Sequence, residues 1–229
     1  MTPLTKKLTD YDNPRSIGSR LRARRLVHLL PLLEAAFREK GSVQILDMGG
    51  TTTYWRILSP DYLASRRVEI TLVNLPGEVH DGPPEPFRVV EGDACDLAMF
   101  AANSFDLVHS NSVVEHVGDW ARMKAFAKEV RRLAPRYFVQ TPNFWFPIEP
   151  HFMCPFFHWL PEPTRVRILL RTGLGHYRRA GSVDNAVTAV QGARLLNRRM
   201  MASLFPDAAI VTERVALLPK SLMAIRAGE

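Results

Sequence analysis

The chain has few of the features that mark secreted, disulfide-bonded or membrane-spanning proteins. Only two of its 229 residues are cysteines, Cys95 and Cys154, and their wide separation fits neither a disulfide framework nor a zinc-knuckle spacing. The N-terminal segment lacks the apolar core of a signal peptide, and no uncharged apolar run approaches the length of about 18 residues that a membrane-spanning helix requires. We therefore expect a cytoplasmic protein with two reduced thiols.

Acidic residues are absent from two arginine-rich segments of a chain whose net charge is +7. The arginines concerned are Arg15, Arg20, Arg22, Arg24 and Arg25 in the first segment, and Arg165, Arg167, Arg171, Arg178 and Arg179 in the second. No nucleic-acid-binding motif accompanies either segment. The sequence predicts solvated basic faces, with contact to an anionic substrate or to lipid headgroups at a membrane surface as the alternative.

The length and the hydrophobic content of 46% predict one domain over residues 1–229. Residues 1–40 are expected to form a polar arm followed by one or two helices, in which Pro31 is a candidate break. Five short apolar segments then alternate with helical patterns over residues 43–141. This alternation is typical of a doubly wound α/β fold, whose parallel strands bind ligands at their carboxyl ends.

The first of these segments, residues 43–55, reads V-Q-I-L-D-M-G-G-T-T-T-Y-W. It predicts a buried strand that ends in a tight turn, where Gly49 and Gly50 let a ligand approach the backbone. A helix starting near Thr51 would direct its free N–H groups at that ligand. An acidic residue before the glycines, Asp47, would repel a phosphate but could receive an ammonium group. The segment resembles motif I of the class I S-adenosylmethionine (SAM) methyltransferases.

The next two segments end in residues that the same resemblance makes candidates for binding SAM. Asn74, followed by Leu75, ends the second segment, at the position where nucleotide-binding α/β folds bond a ribose. The third ends in Gly-Asp-Ala, which looks like the adenine-binding turn of the family. The resemblance implies that the Asp93 carboxylate accepts from the adenine amine and that the Ala94 N–H meets a ring nitrogen.

The fourth segment carries the most specific motif, S-F-D-L-V followed within a few residues by E-H-V. This pair is similar to a methyltransferase subset that includes the ubiquinone-biosynthesis O-methyltransferases and many glycan and natural-product methyltransferases. The resemblance implies that Ser110 and Asn111 lie beside the transferable methyl group. It also implies a seven-stranded, Rossmann-like and mostly parallel sheet, closed by an antiparallel C-terminal hairpin over residues 208–227, with its turn around residues 219–221.

Residues 143–206 are too many for a bare connection between the fifth strand and the hairpin. The first part of this segment is rich in aromatic residues and prolines, which suit the walls of a substrate pocket. We interpret the segment as a cap that binds the methyl acceptor. A cap that only fills its own core is the alternative.

Transfer of a methyl group to a hydroxyl requires a base, because the hydroxyl must lose its proton. Histidine titrates near neutral pH, and His116, expected on the helix after the fourth strand, and His151, in the cap, are the candidates. Some relatives with E-x-x-E-H at this point bind a divalent metal, but Ser112 replaces the first glutamate here. We therefore expect no metal site.

Together these patterns predict a SAM-dependent methyltransferase that acts on oxygen of a small-molecule, sugar or lipid-linked acceptor by direct displacement. No nucleic-acid partner is expected. Two alternatives stay open: a nicotinamide-dependent oxidoreductase on a similar sheet, and a non-catalytic SAM-fold module that binds RNA or a membrane through its basic faces. Binding of S-adenosylhomocysteine or of NAD separates the two kinds of enzyme.

Overall fold

A computed structural model describes residues 17–77, 85–175 and 177–228. The expected polar arm and Arg15 lie outside these residues, and so do residues 78–84 before the third strand. Within the described ranges, no helix combines the length and the apolar character needed to cross a bilayer.

A central sheet of seven strands organises the chain, as the sequence predicts. The strands are β1 (Val43–Met48), β2 (Val68–Asn74), β3 (Phe87–Glu91), β4 (Leu107–Asn111), β5 (Arg136–Pro142), β8 (Ala209–Val215) and β9 (Leu218–Arg226). Their order across the sheet is β3-β2-β1-β4-β5-β9-β8. The first five are parallel, and β9 runs antiparallel to both β5 and β8. The Rossmann-like methyltransferase fold is therefore confirmed.

Helices cover both faces of this sheet and build the cap. They are α1 (Ile17–Lys40), α2 (Thr52–Trp55), α3 (Pro60–Ser65), α4 (Trp120–Leu133), α5 (Glu162–Arg171), α6 (Val183–Gln191) and α7 (Arg198–Leu204). The first helix continues through Pro31 without a break, since Leu29 and Leu33 on either side are fully buried against the sheet. Burial of this apolar face compensates for the backbone hydrogen bond that proline cannot donate.

Two apolar layers sandwich the sheet, and a third lies in the cap. On one face α1 and α3 pack on inward residues of β1 and β2, such as Ile45 and Ile70. On the other face α4 and α7 pack around Phe126 and Phe205. The cap has a separate core centred on Phe152 and Phe157. Because both faces are covered, the polar strand ends form the sheet's accessible edge.

The C-terminal hairpin differs from the sequence-based expectation in the position of its turn. Ala216 and Leu217 form the turn with positive φ angles of 48° and 69°, whereas Pro219 lies inside β9. Pro219 pairs with Arg214 beside an irregularity in the strand register, where a residue without an N–H is tolerated. The expectation of a turn around residues 219–221 is therefore wrong by about three residues.

The cap follows β5 and begins with two short strands, β6 (Ile148–Glu149) and β7 (Cys154–Pro155), which pair with each other. A 3-10 turn, Phe157–Trp159, leads into α5. The chain then returns through α6 and α7 to the hairpin. Residues 143–206 thus form an insertion at the carboxyl end of β5, beside the strand ends on which the sequence places the cofactor.

Candidate functional site

The glycine turn after β1 is as tight as its sequence predicts. Gly49 has a φ of 72°, and a Cβ built on Gly50 would lie 1.8 Å from Asp47 Oδ2. The Gly49 N–H donates to the Val73 carbonyl at 2.7 Å, which anchors the turn to β2. Thr51 occupies the N-cap of α2, although its side chain makes no cap hydrogen bond. The turn therefore presents bare backbone at the sheet edge.

Asp47 lies beneath this turn and does not face the open edge. Its side chain is fully buried; Oδ2 accepts from Trp55 Nε1 at 2.8 Å and Oδ1 contacts His109 Nδ1 at 2.7 Å. The expectation that Asp47 receives the ammonium group stays a prediction. The carboxylate supports Gly50 from below, which is a positioning role.

His109 and Trp55 are residues of this site that the sequence interpretation missed. Trp55 lies eight residues after Asp47, whereas His109 is 62 residues away and is brought alongside by the pairing of β1 with β4. The His109 ring also stacks on Phe138, with an interplanar angle of 5°. The contact between Asp47 and His109 could be identified only from the register of β4 against β1.

Asn74 lies at the end of β2 beside the glycine turn, as expected. Its Nδ2 donates to the Gly50 carbonyl at 3.0 Å, so its amide oxygen is the group left to bind a ligand. Leu75, the next residue, is 50% exposed. This pair offers one polar and one apolar surface at the same strand end.

Asp93 and Ala94 form the turn after β3, next to β2 in the sheet. Burial alone would raise the pKa of Asp93, but the Cys95 N–H and the Arg122 guanidinium outweigh burial and lower it. Arg122 Nη2 contacts both carboxylate oxygens, at 2.9 and 2.7 Å. Each oxygen retains lone-pair capacity, so the ionised carboxylate can still accept from an amine.

Ser110 and Asn111 end β4, in the centre of the sheet. The Ser110 hydroxyl is buried and donates to the Met48 carbonyl at 2.9 Å. Asn111, the last residue of the strand, is partly exposed. Asn111 Oδ1 accepts from Arg25 Nη1 at 2.7 Å. Arg25, which comes from α1, was predicted only as one member of a basic segment, and nothing in its sequence context distinguishes it from its neighbours.

The two candidate catalytic histidines contact each other. His116 Nε2 and His151 Nε2 are 3.0 Å apart, with the rings perpendicular. His116 lies in the turn between β4 and α4 and not on the helix as we expected, because α4 begins only at Trp120, after the Asp119 cap. His151 comes from the cap, so the pair joins the cap to the sheet edge.

Hydrogen-bond partners define where the protons of this pair reside. His116 Nδ1 lies 2.7 Å from the Gly192 carbonyl, which can only accept, so this nitrogen carries a hydrogen. His151 Nδ1 lies 2.6 Å from Glu149 Oε1. Burial alone would lower the pKa of His151, but Glu149, with help from Glu115, raises it. The pair can therefore hold one additional proton, shared between the two Nε2 atoms.

Glu115 lies behind the histidine pair and is almost completely buried. Its Oε2 accepts from the Thr141 hydroxyl at 2.9 Å, whereas Oε1 has no partner. Burial raises the pKa of Glu115, against the opposing effect of His116. Donor atoms of Glu115, His116 and His151 all lie within 4.8 Å of one another, a spacing that could hold a metal ion. Our expectation of no metal stays a prediction.

The strand-end residues fit a SAM molecule by their own geometry. Gly50 and Thr51 expose backbone N–H groups without partners among the described residues, and the ends of β2 and β3 add an amide oxygen, an apolar surface and an ionised carboxylate. All these groups lie on adjacent strands in the order β3-β2-β1-β4, so they share one edge. Such an edge is the usual ligand site of an open parallel sheet.

Comparisons with known proteins agree with this geometry. A family model described as a methyltransferase domain matches residues 49–136, which include the glycine turn and the ends of β2, β3 and β4. No curated protein matches the chain.

Solved structures with a similar fold share little sequence with this chain. A SAM-dependent methyltransferase from Archaeoglobus fulgidus is 14% identical, with a TM-score of 0.54 and coverage of 97% of each chain. A protein from Pyrococcus horikoshii is 15% identical, with a TM-score of 0.52 and coverage of 98% of this chain and 96% of that one. The DszA carbon methyltransferase is 14% identical, with a TM-score of 0.56 and coverage of 93% and 56%.

At these identities the solved structures establish the fold alone. The chain spans 49% and 64% of the length of two further methyltransferase structures that it matches, so the complete activity of those larger proteins does not carry over. The family match and the geometry of the strand ends carry the assignment. Over residues 49–136 the chain carries a methyltransferase domain, whose cofactor is S-adenosylmethionine.

Proposed function

We propose that this protein transfers the methyl group of SAM to an oxygen atom of a small-molecule, sugar or lipid-linked acceptor held under the cap. The observation that carries the proposal is the contact between His116 and His151, 3.0 Å apart, where the cap meets the strand ends. A proton-accepting pair at this junction suits an acceptor whose hydroxyl must lose a proton. The proposed location is the cytoplasm, where Cys95 and Cys154 stay free thiols.

The residues divide into those that hold the cofactor and those that act on the acceptor. Bound SAM supplies an electrophilic methyl group on a positively charged sulfur. The proposed cofactor contacts are the backbone of Gly49, Gly50 and Thr51, together with Asn74, Leu75, Asp93, Ala94 and the β4 end at Ser110 and Asn111. Asp47 is proposed to attract the ammonium group of SAM from beneath the glycine turn, which it also supports.

The histidine pair is proposed to take the proton that the acceptor oxygen loses as it gains the methyl group. A nitrogen free of hydrogen is needed for this step, and both Nε2 atoms are free whenever the pair carries only its two Nδ1 hydrogens. Glu149, 2.6 Å from His151 Nδ1, stabilises the imidazolium that results. The cap core behind Phe152 would exclude water from the acceptor.

Two measurements test this function in sequence. Isothermal titration with S-adenosylhomocysteine and with NAD comes first, and binding of NAD alone would defeat the proposal. Incubation with isotope-labelled SAM and a metabolite extract follows, because the labelled product identifies the acceptor. Cofactor binding without any labelled product would instead favour the non-catalytic module.

A second role for the histidine cluster is favoured by the unpartnered Oε1 of Glu115. A divalent cation bound by Glu115, His116 and His151 would replace the shared proton. Both histidines would then keep a second hydrogen bond, from Nδ1 to Gly192 O or to Glu149, as metal-bound histidines usually do. Plasma mass spectrometry of purified protein decides between the roles: one equivalent of metal that a chelator removes together with activity supports the cation.

Exposed aromatic residues on the cap favour the lipid-linked acceptor among the three classes. Trp145, Phe156 and Trp159 are 57%, 53% and 41% exposed, and Trp159 lies within 6.3 Å of both other rings. The exposed Arg167 and Arg171 follow on α5. Tryptophan beside arginine suits the interface of an anionic membrane. Sedimentation with vesicles containing or lacking anionic lipid tests this contact, and equal absence of binding to both would reject it.

A further inference from the structure

The cap contains a cavity of about 290 Å³ that none of the roles above uses. This volume is near the lower limit for small-molecule sites. Apolar walls come from Phe144, Phe152 and Phe157, and polar or charged groups come from Glu149, His158, Glu162 and Arg165. The cavity adjoins the histidine pair, because Glu149 lines it and also contacts His151 Nδ1. It therefore lies beside the place where methyl transfer is proposed.

His158 lines this cavity and has one buried ring nitrogen without a hydrogen-bond partner. Its side chain is 8% exposed, and its Nε2 lies 2.7 Å from the Phe144 carbonyl, so Nε2 carries the hydrogen. Burial lowers the pKa of His158, which keeps the ring neutral. The remaining nitrogen, Nδ1, has no hydrogen-bond partner. A buried acceptor of this kind requires a donor, such as a hydroxyl group.

Arg165, on the α5 side of the same cavity, has a hydrogen-bond donor without an acceptor. Its Nε is buried and has no hydrogen-bond partner. The nearest acids, Glu162 and Glu149, interact with it only at longer range, and Arg165 forms no ion pair within the described residues. Arg194 adds a second guanidinium to the lining. A partly desolvated guanidinium without a carboxylate partner is suited to binding an oxyanion.

We propose that this cavity is the acceptor-recognition subsite and that it takes a small hydroxylated oxyanion, either a carboxylate or a phosphate. The anionic oxygens would accept from the Arg165 guanidinium, and a hydroxyl of the same molecule would donate to His158 Nδ1. The proposal rests on the proposed function, because it defines the chemistry of the molecule that receives the methyl group. Neutral sugars and simple phenols lack the charge that Arg165 requires.

Direct binding measured by titration calorimetry tests the subsite without any need for turnover. The probes are hydroxybenzoate and glucuronate, each compared with its uncharged methyl ester, and glycerol phosphate compared with glycerol. We expect at least one oxyanion to bind about tenfold or more tightly than its neutral counterpart. A comparison of the affinities of the carboxylate and phosphate probes then shows which of the two anions the cavity binds.

The chain supplies a matched control for the charge itself. Arg165→Gln and Arg167→Gln remove the same charge from the same helix, but Arg167 is exposed to solvent. We expect Arg165→Gln to weaken oxyanion binding about tenfold and Arg167→Gln to leave it unchanged. If Arg165→Gln does not fold, the wild-type comparison of acid with ester tests the charge, and Arg165→Lys, which keeps the charge but loses the planar fork of donors, should still bind the oxyanion less tightly.

Three results would overturn the subsite. They are the absence of binding by every oxyanion up to about 10 mM, equal binding of acid and ester, and an equal loss in the two glutamine variants. S-adenosylhomocysteine is titrated into the same samples. Its failure to bind would count against the proposed function, whereas its binding combined with any of the three results would count against the subsite alone.

Discussion

At the scale of single residues, the site leaves no room for a side chain at Gly50. A Cβ at this position would lie 1.8 Å from Asp47 Oδ2, and Asp47 cannot move aside because His109 and Trp55 hold both of its oxygens. We expect Gly50→Ala to lower the free energy of unfolding by about 1–3 kcal/mol and to weaken S-adenosylhomocysteine binding. Urea denaturation and titration calorimetry measure the two effects.

Gly181→Ala is the matched control for this substitution. A Cβ at Gly181 meets nothing within 4 Å, so its stability should stay within about 0.5 kcal/mol of wild type. Wild-type stability and affinity in Gly50→Ala would show that the turn is looser than these distances indicate.

The histidine pair provides the second prediction at this scale. His116→Gln and His151→Gln remove the groups proposed to accept the hydroxyl proton, so each should lower the rate about 10²–10⁴-fold. The affinity for S-adenosylhomocysteine should not change, because neither residue is proposed to hold the cofactor. The readout is S-adenosylhomocysteine formation with the identified acceptor, with His28→Gln on α1 as the control. A full rate in both variants would remove the pair from the mechanism.

At the scale of elements, one buried ion pair joins α1 to the C-terminal hairpin. Arg25 Nε and Nη2 donate to the two oxygens of Glu213 at 3.1 and 2.9 Å, and both side chains are at most 10% exposed. The same guanidinium reaches Asn111 and Gln140 at 2.7 and 2.9 Å. Arg25 therefore holds together the hairpin, the first helix and the end of β4.

Because of this ion pair, the free energy of unfolding should depend on pH in the acid range. Burial alone would raise the pKa of Glu213, but the hydrogen bond and charge of Arg25 outweigh it and lower the pKa below its ordinary value of 4.5. A lowered folded-state pKa means that the stabilisation is fully present above pH 4.5 and is lost as the pH falls further. Glu213→Gln should cost about 3–5 kcal/mol at pH 7 and progressively less in acid.

Urea denaturation of Glu213→Gln and wild type at pH 7 and at about pH 4 checks this linkage. Glu69→Gln on β2 is the control, since Glu69 is exposed and its loss should change little at either pH. A difference between Glu213→Gln and wild type that is the same at both pH values would contradict the assignment to Arg25.

The same elements show which features the sequence could predict. The ends of β2 and β3 were predictable because apolar segments stop at polar residues such as Asn74 and Asp93, and parallel strands align those stops. The burial of Asp47 was not predictable, because its partner His109 reaches it only through the register of β4. The role of Arg25 depends on groups up to 196 residues away, and its place in an arginine-rich helix gives no sign of them.

At the scale of the whole molecule, the proposed cofactor site and the proposed acceptor site belong to parts with separate apolar cores. The proposed cofactor contacts come from the ends of β1 to β4, whereas the cap has its own apolar core around Phe152 and Phe157. The two parts meet at the histidine pair, with one ring from each. A ligand on one side should therefore protect its own backbone and change the other part little.

Hydrogen exchange measured by mass spectrometry tests whether the cofactor site and the cap respond separately to their ligands. S-adenosylhomocysteine at about 100 times its dissociation constant adds about 2.7 kcal/mol of stability, and it should slow exchange most at residues 49–53 and 92–95. Residues 162–190 of the cap should respond instead to an oxyanion probe, because Arg165 lies among them. Protection that spread equally through both parts with either ligand would mean that the cap and the sheet edge open as one unit, and the separation inferred from their distinct cores would fail.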